Sequence, residues 1–187
     1  MNLLAAILSM ALRREVADAV GAFAFIATIV LAHAALAAGA LAVLLVVATA
    51  TPRLVARAAE QADLRPYRSL LVGVAVALVW IGLAKVAQRA HSGPLGLALV
   101  VAGGLALVYG AAASACALGS RLLTRSGSDD LAARALPRHA GPLALGLGWA
   151  VLAGLALAPF VGWALLGGAL LVGVGAVAHG AFVREGL

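Results

Sequence analysis

One ionisable side chain stands near the middle of a long apolar run: His33, within Leu31-Ala32-His33-Ala34-Ala35. A neutral imidazole among small residues can ligate a haem iron or the magnesium of a chlorophyll-type pigment. It can equally bond to a neighbouring helix or face a partner chain. A bis-histidine haem needs a second histidine at like depth, but His91 and His139 fall in loops and His179 near the end of the last apolar block. Other chemistry is sparse. No His, Cys, Asp or Glu cluster has metal-ligand spacing, so no metal site is expected. Glu15 and Asp18 stand at the mouth of the first apolar run and Lys85 at the end of the second, which leaves no carboxylate pair at mid-depth for acid–base work. Ser114 and Thr28 have no base beside them, and helical Ser and Thr commonly bond their own backbone. Cys116 is the only cysteine and can form no internal disulfide; in its apolar run it reads as a small packing residue. The residues therefore assign no catalytic role, and the chain is expected not to be an enzyme. No cofactor is expected either, the alternative being a pigment or haem on His33.

The elements around these residues belong to lipid. Of 187 residues, 65% are hydrophobic and 11% charged, with a mean hydropathy of +1.12. Soluble domains are roughly 45–50% apolar and about a quarter charged. A bilayer must be the solvent for most of this surface. The net charge of +6 does not point to nucleic acid, because the arginines sit between apolar blocks, where the positive-inside rule puts them. The expected fold class is all-α: a polytopic integral membrane helical bundle of four to five transmembrane helices, plus an N-terminal interfacial amphipathic helix.

That surface helix is expected over 1–14, where Leu3, Leu4, Ile7, Leu8 and Ala11 recur at helical spacing and Arg13 and Arg14 follow the apolar stretch. A single transmembrane domain is expected over 15–187, with crossings at about 16–50, 67–89, 95–119, 142–158 and 160–182. The first run is longer than one crossing needs, so it is either one tilted helix or a crossing plus a half-helix broken near Ala37-Ala38-Gly39. Thr51-Pro52-Arg53 ends it, and Arg53 to Arg68 reads as a short interfacial helix stopped before Pro66. His91-Ser92-Gly93-Pro94 signals a tight turn. Arg121 to Gly141 forms a second polar loop. The last block, Pro142 to Phe182, carries no Asp, Glu, Lys or Arg and divides at a turn marked by Pro159 and Gly162, with Trp163 suited to an interface.

Helices in lipid associate through close backbone approach at small residues. Gly146, Ala150, Gly154 and Ala158 form a ladder at four-residue spacing, and Ala106, Gly110 and Ser114 form another. Both read as helix-packing faces, within the chain or against a partner.

Two resemblances bear on function. The Ala32-His33 pair is similar to that of the single helix in bacterial light-harvesting polypeptides. More of the chain resembles a bacterial membrane domain that often follows a bactofilin-like, polymer-forming β-helix. The matching features are Thr51-Pro52-Arg53 with Arg57, Arg65-Pro66, Ser69-Leu70-Leu71-Val72-Gly73, Gly93-Pro94-Leu95, Ala117-Leu118-Gly119-Ser120-Arg121, Pro159-Phe160-Val161-Gly162-Trp163 and Gly173-Val174-Gly175-Ala176. This resemblance implies an anchor or scaffold and carries over no catalytic residue. The chain departs from it at its N-terminal part, which is a helical region and not a β-helix. The expected function is a non-enzymatic scaffold or accessory subunit of a larger bacterial membrane protein complex. Its partners would be the lipid bilayer and other transmembrane subunits. The alternative is a pigment- or haem-holding subunit of a photosynthetic or respiratory complex, with His33 as ligand. A small transporter or channel is the weaker alternative, since intramembrane charge is missing.

With five crossings in the bacterial inner membrane, Arg53, Arg57, Arg65, Arg68, Arg121, Arg125, Arg134, Arg138 and Arg184 share one side. Arg13, Arg14, Lys85 and Arg89 share the other. The larger set belongs in the cytoplasm. A reporter that fluoresces only in the cytoplasm should therefore light up when fused after Leu187 and stay dark when fused before Met1. A cytoplasmic N-terminus would reduce the crossings to four.

Overall fold

The computed structural model describes residues 3–89, 93–125, 141–158 and 160–182, all in helices or the turns between them. Among these residues six helices follow in order: α1 Leu3–Ala50, α2 Pro52–Leu64, α3 Pro66–Arg89, α4 Gly93–Arg125, α5 Pro142–Leu155 and α6 Val161–Phe182. The architecture is an all-α helical bundle. Four segments are long and apolar enough to cross a membrane: Asp18–Ala50, Pro66–Arg89, Gly93–Arg125 and Val161–Gly180. α5 is apolar but has only 14 residues, so the span expected over 142–158 is a shorter helix followed by a turn. At 1.5 Å per residue it is about 21 Å long, less than a crossing needs.

α1 differs from the expected division at residue 14. It is helical throughout Leu3–Ala50, with no break after the Arg13-Arg14 pair and none near Ala37-Ala38-Gly39. The reason is local. No proline occurs before Pro52 and no glycine before Gly21, while Ala, Leu, Arg and Glu are strong helix formers. A single Gly39 costs only about 1 kcal/mol in a helix interior. By packing, residues 1–40 and 41–187 are two separate units. The first is a helix whose large apolar side chains from Val16 onward point outward; Phe23 is 74% exposed and Leu36 75%.

In the second unit, Thr51 interrupts the backbone (φ −132°, ψ 57°) and Pro52 takes the first position of α2, where its missing N–H is no loss. Arg65, just before Pro66, leaves the helical region (φ −138°, ψ 59°), since the proline ring disfavours the α conformation in the residue before it, and this separates α2 from α3. α2 is amphipathic: Val55, Ala58, Ala59 and Ala62 are buried against α4 and α6. α4 is the most enclosed element, and every residue from Gly110 to Ala117 is buried. Leu44, Ala48, Leu145, Leu152 and Ala176 complete the core around it.

Glycines make the contacts that bring these helices together. A methyl group added at Gly173 would overlap the Gly110 carbonyl, and one added at Gly110 would run into the Gly173–Val174 backbone. At α3–α6, Gly175 lies against the Ser69 carbonyl and Gly73 against that of Leu171. At α4–α5, Gly119 meets the Ala144 carbonyl and Gly148 the Ala115 carbonyl. Helical residues advance by about 100° each, so Gly173 and Gly175 present nearly opposite faces of α6, one to α4 and one to α3. Gly110 and Gly119 divide α4 in the same way between α6 and α5. The Ser114 hydroxyl donates to the Ala169 carbonyl, adding a bond between α4 and α6.

Gly104 and Gly82, by contrast, have open space where a side chain would go. Gly173→Ala should destabilise the bundle by about 1–3 kcal/mol through overpacking. Gly104→Ala should be neutral or stabilising by up to about 1 kcal/mol, since it only relieves the helix penalty of glycine. Thermal unfolding of the two purified variants in one detergent checks this; equal melting temperatures would refute the packing assignment.

Candidate functional site

The residues singled out by sequence fall in different parts of the molecule. His33 is half-buried on α1, within the unit 1–40. His179 is in the last turn of α6, while His91 and His139 lie outside the described residues. Among the described residues no three His, Cys, Asp or Glu side chains group closely enough to hold a metal ion. Several hydroxyls bond their own helix, as expected of Thr28: Thr28 donates to the Ala24 carbonyl at 2.8 Å, Ser120 to Ala117 at 2.8 Å and Thr124 to Arg121 at 3.0 Å, whereas Ser114 donates across to Ala169. Cys116 is fully buried in the core.

The two small-residue ladders are placed differently. Gly110 and Ser114 lie in the α4–α6 contact, and Ala106, one turn earlier, lines a groove described below. On α5 the buried positions are Ala144, Leu145, Gly148 and Leu152. Ala150, Gly154 and Ala158 are exposed and Gly146 is half-buried, with nothing near the space a Gly146 or Gly154 side chain would occupy. Residues 146 and 148 differ by about 200° around the helix, so the Gly146 ladder is turned away from α4.

Gly93 and Pro94 occupy the first turn of α4, where proline is tolerated, and the preceding residues 90–92 are outside the described set. Pro159 is also outside it. Phe160 has a left-handed backbone (φ 64°), which a bulky residue seldom adopts, and Gly162 packs directly on the Leu155 carbonyl. The Trp163 indole N–H donates to the Ala156 carbonyl at 3.2 Å, which ties the start of α6 to the end of α5.

Two features had no motif in the sequence. The first is a groove of about 390 Å³ between α3, α4 and α6, lined by Gly73, Trp80, Gly103, Ala106, Gly167 and Leu171 among other apolar side chains. The Trp80 ring fills the space over Gly103 that any larger residue would need. Such a surface accepts an acyl chain or an aliphatic side chain and offers no acid or base. The second is an ion pair between Asp63 at the end of α2 and Arg121 on α4; Arg121 also donates to the Asp63 backbone carbonyl at 3.0 Å. The loop-side count of arginines had put these two polar segments on one side of the membrane, but nothing in sequence pairs residues 58 positions apart.

No family model, no curated protein and no solved structure matches the chain.

The Asp63–Arg121 pair is open to solvent, at 27% and 55% side-chain exposure. Asp63→Asn should therefore cost less than about 1 kcal/mol, and the difference should shrink further in high salt. Arg121→Gln also loses the bond to the backbone carbonyl and should cost more. Melting temperatures at low and high ionic strength distinguish the two; a salt-insensitive loss in Asp63→Asn would contradict this picture.

Proposed function

We propose that the chain is a non-enzymatic scaffold or accessory subunit of a larger bacterial membrane complex, working through the sides of its helices. The observation that carries this reading is the contrast between its two units. Residues 41–187 pack at backbone distance through glycine, whereas residues 16–40 carry bulky apolar side chains outward together with a run of small ones, Ala32 to Ala40, interrupted only by His33 and Leu36. A small-residue run with a polar group inside it suits helix–helix contact better than lipid alone. The outward Gly146 ladder on α5 offers a second surface of the same kind. The resemblance to the membrane domain that accompanies bactofilin-like polymers supports the same role.

The test is co-purification. The tagged chain, extracted from its native membrane in mild detergent, should bring other transmembrane proteins with it, identified by mass spectrometry. Replacing Ala34 and Ala38, one helical turn apart, with Leu should lower their yield about tenfold, corresponding to roughly 1–2 kcal/mol of lost helix contact. A lone monomer in every detergent, or an unchanged yield in the variant, would sink the proposal.

A further inference from the structure

Arg53 and Arg57 stand one turn apart on α2, about 6 Å from each other as side-chain bases, at one wall of a cavity of about 350 Å³. Leu54 and Ala58 continue that wall, and Ala176, Val177 and Gly180 of α6 form the opposite one. Both arginines are exposed, and among the described residues neither is in an ion pair, in contrast to Arg121. Arg53 is moreover in the first turn of α2, which contains no acidic residue. A cation there opposes the positive end of the helix dipole, so a bound anion would relieve both charges. This α6 wall is the end of Val161–Gly180, a segment long and apolar enough to cross a membrane. Arg53 and Arg57 thus stand beside the end of an apolar span, the place where lipid phosphates meet a crossing helix, and line the same cleft as its small residues. Position 180 has no side chain, and the space one would take is open.

From this geometry we infer that the α2–α6 cleft is a binding site for one anionic phospholipid, its phosphate held between Arg53 and Arg57 and its acyl chain laid against Ala176, Val177 and Gly180. The guanidinium pair supplies charge-assisted bonds to phosphate oxygens, and the small residues of α6 supply the chain's bed. Arg57 precedes Glu60 by one turn, but Glu60 does not line the cavity and makes no ion pair among the described residues.

Native mass spectrometry of the full-length protein tests the assignment, with phosphatidylglycerol or phosphatidylcholine of the same acyl chains added to the micelles. Phosphatidylglycerol should be retained in preference to phosphatidylcholine. Arg53→Gln or Arg57→Gln should each lower its retention about fivefold, the effect of roughly one basic residue near a lipid surface. Lys85→Gln removes the same charge from α3 and should leave retention unchanged. Gly180→Leu keeps both arginines but fills the cleft, and should lower retention as well. This variant decides the matter if an arginine variant fails to fold, as judged by helicity and elution volume. Equal retention of the two lipids, an equal loss in Lys85→Gln, full retention in Gly180→Leu, or displacement of the lipid by inorganic phosphate alone would each overturn the site. None of these readouts involves a partner protein, so they stand or fall apart from the scaffold role.

Discussion

Helices surrounded by lipid gain nothing from hiding oil from oil, so a bundle of this composition depends on how closely its backbones approach. Three glycine pairs set that approach: Gly110 with Gly173, Gly73 with Gly175, and Gly119 with Gly148. Because Gly173 and Gly175 face opposite ways, α6 is held between α3 and α4, and because Gly110 and Gly119 do the same on α4, that helix is held between α6 and α5. The alanine-rich stretch from Gly110 to Ala117 follows from this arrangement, since only small residues can be enclosed on every side at such distances. The Ser114 hydroxyl, bonded to the Ala169 carbonyl, adds direction to a contact that dispersion alone would leave free to slide.

The helical, membrane-type architecture was legible in sequence because apolar runs, prolines and arginine clusters are one-dimensional signals. Pro52 and Pro66 bracket α2 as their chemistry requires. The extent of α1 was not legible. The Arg13-Arg14 pair marks a change in polarity but not a change in helical preference, so the chain has no local reason to stop there. The length of α5 was also hidden, because Ala156 and Leu157 are helix formers by type and leave the helix only through the turn that leads to Gly162.

The candidate surfaces were legible in kind more than in place. Four-residue ladders of small residues can be written through Gly146 or through Ala144 and Gly148, and the sequence favours neither. The choice is made by Gly119 and Ala115 on another helix, which receive Gly148. The Asp63–Arg121 pair and the Trp80 groove share this property of being created by tertiary contact between segments that each look ordinary. The polar end of the bundle is similarly composite: α2 buries Val55, Ala58, Ala59 and Ala62 inward, and this leaves Arg53, Arg57 and Glu60 on the outer side.

The enclosure of α4 has a consequence for how the protein is made. Synthesis delivers α4 to the membrane before α5 and α6 exist, so its Gly110–Ala117 stretch first meets lipid on faces that end up covered by protein. Small side chains leave the helix backbone thinly shielded, which makes this the segment with the least to gain from remaining in hydrocarbon. The full enclosure of this stretch is therefore completed only by the last two helices of the chain, α5 and α6, which pack on it from different sides.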